Sequence, residues 1–157
     1  MAMAARLITG LLLLLLTVSA PAPAPAQTGD DPIAAATQLF TKYVNLEHGY
    51  WPAVGDLYAD EAVIRNRRKY PNGEVRELTL SAAQYRALLH QAMPIAKQRG
   101  DRSSYSEVTY TAEGPNVRIT ATRFSELKRY SSPLSLLVGR RADGRWMIYE
   151  ELSESQP

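Results

Sequence analysis

The sequence contains no cysteine. Disulfides, a lipid-modified cysteine, thiolate nucleophiles and cysteine metal sites are therefore all excluded. Histidine occurs only at His48 and His90. No HExxH or other close spacing joins them, so they carry no metal signature, and no cofactor is expected. Neither sign of charge is in excess: 18 basic against 16 acidic residues give a net charge of +2. Nucleic acid is not expected as a partner, because that would call for a strongly basic domain. Long apolar runs are scarce as well. The one present, Leu7 to Ala20, is shorter than the roughly 20 residues a membrane span needs.

That run fits a signal peptide. Arg6 is the only charge before Asp30, and six leucines, Leu11 to Leu16, form the apolar centre. Two small-x-small cleavage sites follow. Val18-Ser19-Ala20 would leave Pro21 at the new terminus, a poor context. Ala24-Pro25-Ala26 would leave Gln27 and is preferred; an uncleaved anchor is the alternative. The expected organisation is residues 1–26 as signal peptide, 27–30 as linker and 31–157 as one domain, in the periplasm or secreted, with no membrane span after cleavage. Cleavage leaves about 131 residues and a net charge of about +1. A chain of that size buries nearly 70% of its unfolded surface, enough for a core without disulfides.

Asp31-Pro32 reads as a helix start, with an Asp cap and a proline whose missing amide costs nothing there. Ile33, Ala36, Leu39, Phe40, Tyr43, Val44 and Leu46 recur near helical spacing up to His48. Trp51-Pro52 begins a second, shorter helix carrying Val54, Leu57 and Tyr58. Ala62 to Tyr70 reads as a strand, Pro71-Asn72-Gly73 as a turn and Glu74 to Leu78 as the return strand. Ser81 caps a third helix, Ala82 to Gln98, which Pro94 should kink or end early. Strands follow at Ser104–Thr111, Val117–Leu127, Pro133–Arg141 and Arg145–Leu152, with turns at Gly114-Pro115-Asn116 and Asp143-Gly144. Helices and strands segregate, which argues an α+β fold with an antiparallel sheet.

Two segments carry a resemblance. Asp56-Leu57-Tyr58-Ala59-Asp60-Glu61-Ala62-Val63 and Leu136 to Ile148, with its Asp143-Gly144-Arg145-Trp146 turn, resemble a helix-to-strand joint and a closing hairpin of the nuclear-transport-factor-2-like superfamily, the cystatin-like cone. The resemblance covers about residues 31 to 155. It implies three N-terminal helices packed in a curved antiparallel sheet around an internal pocket. The superfamily includes ketosteroid isomerase, scytalone dehydratase, limonene-epoxide hydrolase and polyketide cyclases beside non-catalytic binding domains, so the fold does not give the function.

Against the isomerase pattern, the position of the catalytic base is filled by Asn66, which cannot accept a proton at neutral pH. Tyr43 falls near the oxyanion tyrosine if one residue is deleted. An epoxide-hydrolase reading would join Arg123 to Glu126, Glu150 or Glu151; the plainer reading is a cross-strand ion pair. His90 follows the apolar pair Leu88-Leu89 and reads as an acid–base group or a structural histidine. Tyrosine is plentiful, with nine copies. Tyr43, Tyr58 and Tyr85 lie on apolar helical faces and Tyr130 on a later strand. Each could line a pocket with one polar tip or pack in the core. The candidate pocket is therefore Tyr43, Tyr58, Asn66, Tyr85, His90, Arg123, Tyr130 and Glu150. The run Arg65-Asn66-Arg67-Arg68-Lys69 places three cations on one strand face, which either bind an anionic partner or protect a sheet edge.

The expected function is an exported domain that binds a small apolar or amphipathic ligand or docks a protein. The alternative is a hydrolase, dehydratase or cyclase working in the same pocket. A homodimer through the sheet is the third possibility.

Overall fold

A computed structural model describes residues 31–157. The expected signal peptide and linker lie outside the described residues. Two α-helices, one 3₁₀ segment and six strands make up the rest: α1 Pro32–His48, the 3₁₀ segment Pro52–Leu57, β1 Tyr58–Lys69, β2 Val75–Ser81, α2 Ala82–Arg99, β3 Ser103–Glu113, β4 Asn116–Ser125, β5 Tyr130–Arg140 and β6 Trp146–Ser155. Among the described residues, no helix is long and apolar enough to cross a membrane.

The helix ends follow their local chemistry. The Ile33 amide donates to Asp31 Oδ1 at 3.0 Å, which caps α1. Ser81 and Gln84 form a reciprocal capping box on α2. Gly100 ends α2 in the left-handed conformation at φ 64°, where a side chain would be strained.

Three expectations are corrected. The second helix is only a 3₁₀ segment, and Tyr58 is the first residue of β1 rather than helical. Only α1 and the 3₁₀ segment precede the sheet, since the β1–β2 hairpin comes before α2. Of the two effects expected of Pro94, the early end does not occur, since α2 continues to Arg99; the exposed proline sits on the helix's outer side, where one missing backbone bond is tolerable.

The strands form one curved sheet in the order β2-β1-β6-β5-β4-β3. It is not wholly antiparallel: β1 lies parallel to β6. β3 to β6 form an antiparallel meander, whose β6 would otherwise leave an open edge; β1 closes it. The basic run is therefore not on an edge. Its outward cations meet carboxylates instead: Arg65 lies 3.7 Å from Glu150, Arg67 3.4 Å from Glu77, and Lys69 2.6 Å from Glu154.

The inner face of the sheet packs on α1, α2 and the 3₁₀ segment. Val117, Ile119, Leu136, Val138 and Ile148 are essentially inaccessible there, together with Ala36, Phe40 and Leu57 from the helical layer. Burying such side chains stabilises by roughly 1.5–3 kcal/mol each.

Candidate functional site

Period-two alternation carries β4 inward through Val117, Ile119 and Ala121 to Arg123 and Ser125. β6 does not keep strict alternation. Its register against β5 skips a residue, so Ile148 faces Val138, Glu150 faces Leu137 and Glu151 faces Leu136. This bulge turns Glu150 outward and Glu151 inward. Strict alternation from Ile148 places Glu150 inside, which is why the sequence favours the wrong one of two adjacent glutamates.

The inner face divides into two parts. One is packed with aromatic rings. Phe40 stacks with Tyr43 at 5.9 Å, and Tyr105 meets both edge-on at 5.6 and 6.1 Å. Tyr58 and Tyr85 form a second edge-on pair at 5.1 Å. The Tyr58 hydroxyl donates to Glu151 Oε2 in a buried hydrogen bond. Burial, reinforced by the neighbouring Glu151, pushes the Tyr58 and Tyr85 hydroxyls well above their ordinary range, so both stay protonated donors.

The other part is an open mouth of about 300 Å³. It lies where the C-terminal ends of α1, β1, β4 and β6 meet the start of β3 and β5, with Ala92, Met93 and Ala96 of α2 as one wall. Glu47, the penultimate residue of α1, stands in it. Glu47 Oε2 is buried and makes no hydrogen bond, and the nearby Tyr105 hydroxyl is equally unpartnered. His48 Nε2 is 3.7 Å from Glu47 but donates to the Ser103 carbonyl at 2.7 Å. A carbonyl oxygen only accepts, so the proton sits on Nε2. Burial raises the Glu47 carboxyl above its ordinary value, against the opposing pull of His48, of the Ser103 hydroxyl, of Arg123 and of the Tyr105 hydroxyl, which lie near it. Arg123 Nη2 donates to the Glu154 carbonyl at 2.8 Å. For Arg123, burial disfavours the charge, but Tyr43, Tyr105 and Glu151 outweigh it and the charge is held.

The eight sequence candidates separate accordingly. Arg123 and Tyr130 line the mouth. Tyr43, Tyr58 and Tyr85 belong to the aromatic packing. Asn66 bonds Ser153 at 3.1 Å and accepts from Ser155 at 2.8 Å, holding β1 to β6. Glu150 accepts from Arg118 at 2.6 Å on the outer face. His90 is exposed on α2. The sequence reading missed Glu47 and Lys128, weighed Glu151 only as a partner of Arg123, and took Arg68 only as part of the basic run. Glu47 sits between apolar Leu46 and His48 near a helix end, and nothing in the periodicity shows that the sheet folds over it.

A larger cleft of about 530 Å³ lies at the other ends of α1 and β6. Trp146 Nε1 is buried and unpartnered there. Its neighbour Arg145 is bound to Asp143 at 2.8 Å. Among the described residues, no group of three or more His, Cys, Asp or Glu side chains is arranged to hold a metal ion.

No family model and no curated protein matches the chain. Solved structures do. An NTF2-like protein of unknown function from Pseudomonas putida aligns at TM-score 0.62 and 12% identity, over 78% of this chain and 85% of its own. The fold is the NTF2-like, cystatin-like one. An NTF2-like protein of unknown function from Shewanella oneidensis follows at TM-score 0.56 and 17% identity, over 80% and 100%. A candidate ketosteroid isomerase from Shewanella frigidimarina aligns at TM-score 0.54 and 20% identity, over 80% and 97%. At such identities the NTF2-like fold is what these proteins share with this chain; their activities are not carried over.

Proposed function

We propose that this NTF2-like domain is an exported binding protein that takes one small polar or amphipathic molecule in the mouth. The leader pattern of residues 1–26 supports export. One observation supports the binding: a buried carboxyl oxygen, Glu47 Oε2, without a hydrogen-bond partner on the wall of a cavity of about 300 Å³. Leaving such a group unpaired costs about 1–3 kcal/mol, and a bound donor removes that cost. The volume sits at the lower end of ligand pockets, so the occupant is small.

Native mass spectrometry of the mature chain tests this. The wild type should carry a retained small molecule or bind one from an extract. Ala92→Trp, which fills the mouth from α2, should abolish retention while the circular dichroism spectrum stays unchanged. Equal retention by both proteins, or none by the wild type, contradicts the proposal.

A further inference from the structure

The charges around the mouth narrow the class of ligand, and this inference rests on the binding reading above. Most basic side chains of β1 and β4 are neutralised on the outer face, as Arg65, Arg67, Lys69 and Arg118 are. The three at the mouth differ. Arg68 lies over the Tyr70 ring at 5.6 Å, Arg123 binds a backbone carbonyl, and Lys128 Nζ donates to the Gln156 carbonyl at 3.1 Å. Among the described residues none of these three is in an ion pair. Opposite in sign is the buried Glu47 oxygen, which makes no hydrogen bond and has His48 at 3.7 Å. Both signs are thus presented to one small space, which the Asp101 carboxylate also lines.

We propose that the mouth binds a small zwitterion, with an ammonium group on Glu47 and a carboxylate on the Arg68, Arg123 and Lys128 side. A simple anion leaves Glu47 unpaired and repelled. A simple amine satisfies Glu47 but adds cationic charge beside three unneutralised cations. A molecule carrying both groups answers both sites at once, and the carbonyl bonds of Arg123 and Lys128 leave their other N–H donors free for a carboxylate. The cavity volume restricts it to the size of an amino acid.

Isothermal titration with the mature protein tests this, using glycine, β-alanine and γ-aminobutyrate, each beside the alkanoate lacking its amine and the alkylamine lacking its carboxylate. At least one zwitterion should bind about tenfold tighter than both of its matched partners, a step of about 1.4 kcal/mol. Glu47→Gln should reduce that zwitterion to the level of its alkanoate. Equal binding by the alkanoate or the amine overturns the proposal. If no compound of the series binds while native mass spectrometry shows a neutral molecule in the wild type, the zwitterion class fails and the binding reading stands. If neither experiment shows a ligand, both fail together.

Discussion

The two parts of the inner face are built from the same strands, yet they treat buried polar groups differently. In the aromatic part, Tyr58 donates to Glu151 and packs edge-on against Tyr85, and among the ring hydroxyls described only that of Tyr105, on the side facing Glu47, is buried without a partner. At the mouth, Glu47 is buried without an answer, and Arg68, Arg123 and Lys128 are held only through a ring or backbone carbonyls. A polar group paired inside a packed core contributes to folding. One left unpaired on a cavity wall lowers stability in exchange for something else. Under the proposed binding reading, the difference between the parts is one between structure and function, on a single sheet face.

Substitutions in the aromatic part should cost the most. Leu136 is 1% exposed at the centre of the core, and Leu136→Ala should lower stability by about 3 kcal/mol in urea unfolding. Tyr58→Phe removes the donor to buried Glu151 and should cost about 2 kcal/mol, with no change in ligand retention. Should Tyr58→Phe prove neutral, the claim that this part is structurally satisfied is broken.

At the mouth the sign reverses. The Glu47 carboxyl is raised above 4.5 by burial. A raised folded value means its contribution to stability is complete below the unfolded value and is lost as pH climbs through the folded one. Glu47→Gln stays neutral throughout. The variant should therefore melt at the same temperature as the wild type below about pH 4.5 and at a higher temperature at pH 7, by less than Tyr58→Phe removes. The smallest effect belongs to the outer face. Glu150→Gln weakens ion pairs to Arg118 and Arg65 that remain in reach of solvent, and it should cost less than about 1 kcal/mol.

Much of the fold was legible in the sequence because it rests on local signals. The Asp31-Pro32 cap, the Ser81 capping box, Gly100 and the Asp143-Gly144 turn each act within a few residues of themselves. The α+β order followed from them. What was not legible depends on long-range register. The parallel pairing of β1 with β6 joins segments more than 80 residues apart, and no local pattern marks it. The β6 bulge reverses the roles of Glu150 and Glu151 after a strand that otherwise alternates correctly. Glu47 becomes a buried group only when the ends of β3, β4 and β5 fold over the last turn of α1. The tyrosines were legible as inward residues, but not which of them fill the core.

The most direct test of the account is the titration of Glu47 itself, followed by carbon NMR of its side-chain carboxyl in the mature protein. The account predicts that the free protein shows Glu47 titrating above the ordinary 4.5, and that a ligand donating to it brings the value down. Titration at the ordinary value in the free protein would mean that Glu47 is well solvated, and the distinction between a satisfied core and an unsatisfied mouth would not hold.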